Sequence, residues 1–304
     1  MNPRSGNGRA LKAWARLKSS VEAVVPKYTM LHTEYGGHAK ELASKALQDG
    51  YTRIVSCGGD GTHNEVANGF FQNDQARNPD ASMAIVPFGT GCDLGRSLRL
   101  PKPEDSIDYI ADPQTTAMDV GKLQCVGEDG ETVENYFLIA AHAGLGGHLN
   151  MQVNNRTKAL GGFLTFLLGV ITARLTYTDP EMTVTIDGET ITKPFMDIIM
   201  ANGQYDGGGM HIGPKTLLNN GHLEVYTIDK LNFLGVLLNI PRIYNGTLEE
   251  HPKVTYYRAK KITIESDEKV WISPDGEVSG VLPATVKVIS QSINMVMGPN
   301  PPLV

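Results

Sequence analysis

A compact run of glycine, aspartate and threonine is the first feature of the chain that could do chemistry. Gly58-Gly59-Asp60-Gly61-Thr62 follows a mostly apolar stretch at 53–57 and precedes a helical stretch from His63. At a strand-to-helix turn, glycine lets backbone amides approach phosphate oxygens, and the helix dipole favours the anion. The Asp60 carboxylate adds an oxygen ligand of the kind that Mg²⁺ prefers. The run predicts a phosphate site, although ordinary turns also use Gly and Asp.

A second glycine-containing segment, PFGTGCDLGRSL at 87–98, follows another apolar stretch at 82–86. In an open α/β sheet, ligands bind beyond the carboxyl ends of adjacent strands, so the two loops are expected to form two walls of one nucleotide site. The segment NPRSGNG at 2–8 is a candidate third wall. The chain has neither the GxxxxGK[ST] motif nor the HRD and DFG motifs, which excludes P-loop enzymes and protein kinases.

The surrounding elements divide the chain into two regions. Residues 1–112 alternate between helical and strand patterns, including a helix over Leu11–Val24 and a short strand over Tyr28–Thr33, which predicts a parallel sheet covered by helices. From about residue 117 short β-rich runs follow, among them Tyr136–Ala141, and predict a mostly antiparallel sandwich. Helical inserts near 151–176 and 231–246 interrupt these strands.

Composition narrows the functional classes. The formal charge of −6 gives no global attraction to nucleic acid. Three cysteines without CxxC spacing suit a reducing cytoplasm rather than a disulfide framework or a zinc ribbon. The longest apolar stretch, Phe163–Leu175, is too short and too interrupted to span a bilayer. It is interpreted as core, or as the lining of an acyl-chain entrance at a membrane surface.

Taken together, the motifs resemble the diacylglycerol kinase catalytic domain family, which includes bacterial lipid kinases and sphingosine and ceramide kinases. The resemblance rests on the NPxSG start, GGDGTxNEVxNG and PxGTxxDxxRSL, and it continues almost to the end of the chain. The later matches are MDVG at 118–121, AGLGG at 143–147, NGQYDGGGM at 202–210 and DGE at 275–277.

This resemblance implies a fold, a reaction and cofactors. It implies a three-layer α/β nucleotide-binding domain of the NAD kinase and phosphofructokinase type at 1–120, to which residues 286–304 return. A β-sandwich domain for the lipid substrate is expected at 121–285, with the ATP site in a cleft between the two. The implied activity is ATP- and Mg²⁺-dependent phosphorylation of a lipid hydroxyl, in phospholipid metabolism.

The resemblance also implies roles for individual residues. Asp275 corresponds to the proposed general base, with Glu277 beside it, and Asp60 is an alternative proton acceptor. Asp60, Asp93 and Asp119 correspond to acidic residues of a magnesium-water network. Lys158, Gly144 and Gly146 belong to the substrate region. The expected nucleotide contacts are Asn2, Ser5, Gly6, Gly58, Gly59, Asp60, Gly61, Thr62, Glu65, Gly89, Thr90 and Asp93.

Several positions depart from the family pattern. Cys92 stands where the family usually has Asn, and Asn7 replaces a common lysine, for which Arg9 could compensate. The Asn219-Asn220-Gly221 turn lacks the acidic residues that hold a structural magnesium in some members. The glycine turn at 4–8 is of a kind that follows a strand, so we expect a strand upstream of Met1.

Two other functions stay open from sequence. NAD kinases also carry GGDGT, and a non-catalytic nucleotide or lipid sensor would keep the fold. The leading expectation is a cytoplasmic enzyme in peripheral contact with a membrane, where its lipid substrate lies. We expect no nucleic-acid partner, and a homodimer stays open.

Overall fold

The computed structural model describes residues 1–25, 27–100, 102–111, 114–154, 169–170 and 172–304. The chain forms two compact units, the first comprising residues 1–120, 218–220 and 289–304 and the second 121–217 and 221–288. Helices alternate with strands in the first unit and strands dominate the second, so the α/β plus β fold class is confirmed. Lys158 and most of the apolar stretch from residue 163 lie outside the described residues.

The elements follow one another along the chain in this order. The first half contains α1 (Arg9–Val24), α2 (His38–Gln48), β1 (Arg53–Gly58), α3 (Asp60–Phe70), β2 (Phe71–Gln72), β3 (Gln75–Ala76), β4 (Ser82–Pro87), α4 (Asp93–Ser97), α5 (Pro103–Ala111), β5 (Thr115–Val126), β6 (Thr132–Phe137), β7 (Ala140–Gly144) and α6 (Leu145–Asn154). The second half contains β8 (Glu181–Ile186), β9 (Glu189–Ala201), β10 (Leu223–Asp229), α7 (Phe233–Asn245), a 3₁₀ turn (Leu248–Glu250), β11 (Val254–Ala259), β12 (Lys261–Glu265), β13 (Trp271–Pro274) and β14 (Gly280–Val296).

The first unit is built on parallel strands. β1 pairs in parallel with β4, from Arg53 opposite Ser82 to Gly58 opposite Pro87. The final part of β14 pairs in parallel with the other edge of β4, with Asn294 opposite Ser82. All six residues of β4 are buried, as expected for an apolar central strand that is covered on both faces. This arrangement brings the carboxyl ends of β1 and β4, and the loops after them, to the same edge.

The strand expected over Tyr28–Thr33 is not formed, so that prediction is wrong. Two backbone hydrogen bonds tie the segment to the start of the chain: the Met1 amine donates to the Leu31 carbonyl (2.7 Å), and the Thr33 amide donates to the Met1 carbonyl (3.0 Å). Tyr28 and Leu31 are 40% and 43% exposed. A strand is held by a hydrogen-bonded ladder and by burial of one face, and neither is developed in this segment.

The second unit is mostly antiparallel. β14, β12, β8, β9, β10 and β11 are neighbours in that order, and β7 pairs with both β9 and β13. Asp187 and Gly188 turn the chain between β8 and β9 with φ values of 45° and 100°, the left-handed conformation that tight hairpins need. Inward-facing Leu, Ile, Val, Met and Phe side chains from these strands form one buried core. The core keeps the loops at the strand ends in defined positions.

The single strand expected over Tyr136–Ala141 is two strands in the structure. β6 ends at Phe137 and β7 begins at Ala140. The amides of Leu138, Ile139 and Ala140 donate to the side chain of Asp275, at 2.9, 2.8 and 3.1 Å. A side-chain carboxylate therefore takes the amides that would continue the β ladder, and the apolar pattern alone could not indicate this.

Candidate active site

The two glycine loops meet at the carboxyl ends of β1 and β4. Their last residues, Gly58 and Pro87, are register partners, and the Phe88 amide donates to the Gly58 carbonyl (2.6 Å). One residue further on, the backbones of Gly59 and Gly89 touch, because a Cβ added to Gly89 would lie 2.7 Å from the Gly59 Cα. No other residue type fits this approach without displacing one of the loops. The structure thus brings together the two predicted walls.

The N-terminal loop lies at the same edge. The Asn2 amide donates to the Cys57 carbonyl (2.9 Å), and the Asn2 Nδ2 donates to the Thr62 hydroxyl (3.0 Å). Gly6 has a φ of 61°, and a Cβ there would lie 2.6 Å from the Phe88 carbonyl oxygen. Ser5 lies between them, and its amide donates to the Asn2 carbonyl (3.2 Å). Three loops, from three separate parts of the sequence, therefore adjoin one another.

Asp60 connects two of these loops through its side chain. It is the first residue of α3, and its carboxylate accepts the amides of Asp93 (3.3 Å) and Leu94 (3.1 Å) at the start of α4. Asp93 is itself buried and accepts a hydrogen bond from Arg96 (2.7 Å). In this structure both carboxylates hold the second glycine loop in place. Any role in nucleotide or metal binding is additional to this one.

Cys92 precedes α4 with a φ of 56°, a left-handed conformation that asparagine adopts more readily than most residues. Its Sγ lies 3.2 Å from the Gly89 carbonyl oxygen, towards which the thiol donates. Burial raises the pKa of the Cys92 thiol to about 11, and the nearby Asp60 carboxylate acts in the same direction. The thiol is therefore neutral at physiological pH and acts as a weak donor within the second loop.

The remaining predicted nucleotide contacts, Glu65, Thr90, Gly61 and Thr62, differ in their exposure and in their backbone positions. Glu65 accepts the Ala39 amide (3.1 Å) at the start of α2, so its carboxylate caps that helix. Thr90 is exposed at the tip of the second loop, and Gly61 and Thr62 lie in the first turn of α3. The first-turn amides of a helix have no partner within the helix, which makes this turn suitable for an anion.

Asp119 is the third carboxylate of the predicted magnesium site. Asp119 is fully buried, and its Oδ1 accepts the amide of Gln291 (2.7 Å). Over the described ranges, no group of three or more His, Cys, Asp or Glu side chains is arranged to hold a metal ion. Asp60 and Asp93 are neighbours, but they do not form such a group with Asp119. The magnesium assignment for these three residues stays a prediction.

Asp275 occupies a tight turn in the second unit. Asp275 and Gly276 have φ values of 47° and 80°, and the Glu277 amide donates to the Pro274 carbonyl (3.0 Å), which closes the turn. The Asp275 carboxylate is 8% exposed and accepts the three amides of residues 138–140. Hydrogen bonds from amides favour an ionised carboxylate. The residue is therefore both a hairpin turn and a buried acceptor, whereas the Glu277 side chain is exposed.

The predicted substrate-region glycines pack against strands. A Cβ on Gly144 would lie 2.7 Å from the Met196 carbonyl oxygen, and one on Gly146 would lie 2.6 Å from the Nδ1 of His142. Both glycines allow the start of α6 to approach its neighbours closely. Lys158, the third member of the predicted set, lies outside the described residues.

A buried histidine that no sequence motif indicated lies beside these glycines. His142 Nδ1 is 3.0 Å from an Asp197 oxygen, and its Nε2 is 2.9 Å from an Asp206 oxygen. Burial alone would lower the pKa of His142, but the two carboxylates raise it to about 10. The second Asp197 oxygen accepts the Gly146 amide (3.2 Å). We call these three side chains the His142 cluster. The β7–β9 register, with Gly144 opposite Asp197, brings His142 and Asp197 together, and the loop after β9 adds Asp206.

A second buried histidine lies behind the first glycine loop. His63, in α3, has its Nδ1 2.7 Å from the Ser56 hydroxyl, and burial lowers its pKa to about 3. It is therefore neutral at physiological pH. Its neutrality avoids burying an uncompensated charge.

Within the described parts of the chain, no helix is both long enough and apolar enough to cross a membrane.

Two family models match the chain in succession. The diacylglycerol kinase catalytic domain matches residues 1–123, and the YegS C-terminal NAD kinase beta sandwich-like domain matches residues 140–297. Among curated relatives, a diacylglycerol kinase of Staphylococcus haemolyticus is 27% identical over 97% of this chain and 86% of its own length. One of Staphylococcus epidermidis is 29% identical over 86% of this chain and 79% of its own length.

Solved structures agree at the level of the fold. A crystal structure described as a diacylglycerol kinase from Bacillus anthracis is 21% identical, with a TM-score of 0.74 over 99% of this chain and 96% of that one. Another structure from the same organism is 23% identical, with a TM-score of 0.78 over 99% and 94%. The second family model spans more than half of the chain and the first accounts for the segment before it, so this chain belongs to the diacylglycerol kinase family.

Proposed function

We propose that this protein is an ATP-dependent lipid kinase that transfers the γ-phosphoryl group of ATP to the hydroxyl of a lipid such as diacylglycerol. The observation that carries the proposal is the contact of the Gly59 and Gly89 backbones where α3 begins. The names of the Staphylococcus relatives support diacylglycerol as the class of acceptor. The finer identity of the lipid depends on the second unit.

The nucleotide is assigned to the first unit. The amides of Asp60, Gly61 and Thr62 begin α3, and the helix dipole makes this end favourable for a polyphosphate. A side chain at Gly59 or Gly89 would push the two loops apart, so glycine at both positions keeps their backbones together. Asn2, Ser5 and Gly6 border the same edge and are proposed as further contacts, together with Gly58, Thr90 and Asp93. The proposed contribution of Glu65 is indirect, through the cap it provides for α2.

The carboxylates of the first unit fit a hydrated magnesium ion better than a fully protein-bound one. When bound with ATP, Mg²⁺ neutralises phosphate charge as the phosphoryl group is transferred. Mg²⁺ usually keeps several waters and takes one or two carboxylates. Asp60 lies directly at the glycine loops and is proposed to face the metal, while Asp93 and Asp119 act through water. Their existing hydrogen bonds fix the orientation of each carboxylate.

Asp275 is proposed to accept the proton of the lipid hydroxyl. Its three amide donors hold the carboxylate in one orientation, and hydrogen bonds from amides favour the ionised form that can accept a proton. Glu277, exposed two residues later, is proposed to orient the hydroxyl or to relay the proton to water. Gly144, Gly146 and Lys158 are proposed to border the lipid. An enzyme with such an acceptor works at a membrane surface, which supports a peripheral, cytoplasmic location.

The proposal is tested by phosphoryl transfer to a panel of acceptors. Purified protein is incubated with γ-labelled ATP and Mg²⁺ and, in parallel, with dispersed diacylglycerol, ceramide, sphingosine, phosphatidylglycerol or NAD. The expected result is label in a lipid product, with diacylglycerol the best acceptor. A Gly36→Ala variant is assayed in parallel and should behave like the parent protein, because a Cβ at Gly36 meets no atom within 4 Å.

The possible outcomes separate the alternatives. Label in NADP and in no lipid would identify a kinase of a soluble substrate. ATP binding without transfer to any acceptor would identify a nucleotide sensor. Either result would overturn the lipid kinase proposal.

A further inference from the structure

The helix α7 in the second unit has an apolar face that is turned to solvent. Its sequence, FLGVLLNIPRIYN, contains one charged residue, Arg242. Val236 is buried, whereas Phe233, Leu234 and Leu238 are 37%, 60% and 68% exposed. A helix that is apolar all round is normally buried on all sides. This one therefore has a face that the described residues of its unit leave uncovered.

The exposed residues form a stripe along one side of the helix. Leu234, Leu238 and Pro241 are spaced at i, i+4 and i+7, and all three are exposed. The buried Val236 lies on the opposite side. A surface helix usually carries polar residues on its solvent side, but these positions of α7 carry leucine and proline. The spacing thus gives a continuous apolar stripe rather than isolated exposed residues.

A second segment extends this stripe at the beginning of the helix. The Arg174 guanidinium donates to the Leu231 carbonyl (3.0 Å) and to Asp179 (3.1 Å), which fixes the helical residues 172–176 beside the start of α7. Leu175, next to this anchor, is 69% exposed. We call Leu175, Phe233, Leu234 and Leu238 the apolar surface.

Cations outnumber carboxylates beside the apolar surface. The Lys230 side chain is 72% exposed, and its Nζ lies 3.9 Å from Asp179, which is 1% exposed and already pairs with Arg174. The Lys253 Nζ donates to the Lys230 carbonyl (2.8 Å). Arg174 and Lys230 thus share the Asp179 carboxylate, and Lys253 adds a third cation beside them. On a chain with a net charge of −6, this is a local positive region.

The charges of the other residues around α7 are balanced. Arg242 pairs with Glu250 (3.4 Å), and Lys193 pairs with Asp229 (2.7 Å). The excess positive charge is therefore concentrated at the Lys230 end of the helix.

We propose that the apolar surface docks onto the face of an anionic lipid bilayer, with Lys230 and Lys253 at the headgroup level. Exposed leucines and a phenylalanine insert at the boundary of headgroups and acyl chains, and lysines beside them are attracted to anionic lipid. A second copy of this chain would bring its own lysines to the same contact, which the charges disfavour. The inference deepens the proposed function, on which it rests, by naming the surface through which the enzyme reaches its substrate.

Vesicle flotation tests this surface directly. The full-length protein is mixed with vesicles of phosphatidylcholine containing phosphatidylglycerol and is compared with the double variant Leu234→Ser/Leu238→Ser. The expected result is a partition coefficient at least about 10-fold lower for the variant, because two apolar side chains are lost from the contact. The control is Leu11→Ser, since Leu11 is 48% exposed on α1 and belongs to the first unit. The control is expected to stay within about twofold of the parent.

The charge component is tested with Lys230→Gln/Lys253→Gln. We expect binding to anionic vesicles to fall by about fivefold per lysine, and binding to pure phosphatidylcholine to stay unchanged. Unfolding curves confirm that each variant is folded, as expected for exposed positions. Equal flotation of the parent and the leucine variant would overturn the proposal. A variant that becomes monomeric in sedimentation while its flotation is unchanged would do so too, in favour of a second copy.

Activity assays separate this inference from the proposed function. Phosphorylation of vesicle-embedded diacylglycerol should fall at least about 10-fold in the leucine variant, and phosphorylation of dispersed short-chain diacylglycerol should stay within about twofold. Equal loss on both substrates would contradict a docking role. If the parent floats with vesicles but phosphorylates no lipid, the docking surface stands and the kinase proposal fails.

Discussion

At the scale of single residues, the candidate nucleotide site depends on two features: the absence of a Cβ at two glycines, and the backbone amide hydrogen bonds that a carboxylate accepts. The Gly59 and Gly89 backbones touch, and the Asp60 carboxylate binds the first amides of α4. The glycine contact holds the two loops together, and the Asp60 hydrogen bonds fix the position of one loop relative to the other. A phosphate-binding hollow made of backbone amides needs both, because its walls have no long side chains to adjust.

Gly89→Ala should separate the loops. Its Cβ would lie 2.7 Å from the Gly59 Cα, so one loop must shift. We expect the affinity for Mg·ATP to fall at least about 10-fold, which is the loss of roughly one charge-assisted hydrogen bond. Isothermal titration calorimetry measures this, with Gly36→Ala as the matched substitution. An unchanged dissociation constant for Gly89→Ala would mean that the nucleotide does not depend on this contact.

Asp275→Asn should affect both catalysis and folding. Asparagine offers one acceptor oxygen to three amides, so we expect the free energy of unfolding to fall by about 1–3 kcal/mol. If the carboxylate accepts the lipid proton, kcat should also fall by roughly 10²-fold or more, with ATP binding nearly intact. Denaturant unfolding and steady-state kinetics measure the two effects.

The exposed Glu277→Gln is the companion variant for stability, and its free energy of unfolding should change by less than about 0.5 kcal/mol. A destabilised Asp275→Asn enzyme with normal kcat would leave Asp275 as a structural turn residue only.

At the scale of elements, the His142 cluster ties two strands and a loop together. His142 lies on β7, Asp197 on β9, and Asp206 in the loop that follows β9. The imidazolium between the buried Asp197 and the partly buried Asp206 leaves one net negative charge, whereas a neutral imidazole would leave two. The pairing therefore stabilises this part of the second unit only while His142 is protonated.

The stability of the second unit should therefore fall as the solution becomes alkaline. The pKa of His142 is raised from an ordinary value near 6.5 to about 10 in the folded protein. The stabilisation is fully present below about pH 6.5 and is lost as the pH rises through about 10. The difference in free energy of unfolding between the parent and His142→Gln should be largest at pH 6 and shrink by pH 10. Urea unfolding at several pH values measures it, with the exposed His32→Gln as control. A difference that does not change with pH would contradict the role of the charge.

The elements also show what sequence patterns can and cannot predict. α1, α2, β1 and β4 were predictable because their apolar periodicity and their glycine ends are local in the sequence. The strand over Tyr28–Thr33 failed because strands need partners, and a short apolar pattern does not reveal whether a partner is present.

The candidate site shows the same division. The glycine loops follow their strands directly, so their meeting could be predicted from parallel pairing. The amides bound by Asp275, more than 130 residues earlier, could not. Nor could the His142 cluster, in which Asp197 and Asp206 are 55 and 64 residues from His142 and reach it through the β7–β9 register and the loop after β9.

At the scale of the whole molecule, the two units contain different parts of the proposed machinery. The first unit contains the parallel strands whose ends carry the glycine loops, and the second contains Asp275, the His142 cluster and the apolar surface. The chain passes between the units within β5, on either side of residues 218–220, and within β14, so each unit is built from segments that are distant in sequence. Deleting the last residues of β14 would therefore remove a parallel partner of β4 and weaken the proposed nucleotide site.

Hydrogen exchange with and without Mg·ATP tests directly whether the two glycine loops hold the phosphates of the nucleotide, because it reports on the backbone amides themselves. We expect slower exchange over residues 58–62 and 89–94 on nucleotide addition, and no such protection in Gly89→Ala at the same concentration. Unchanged exchange in both loops at saturating nucleotide would contradict the claim that they hold its phosphates.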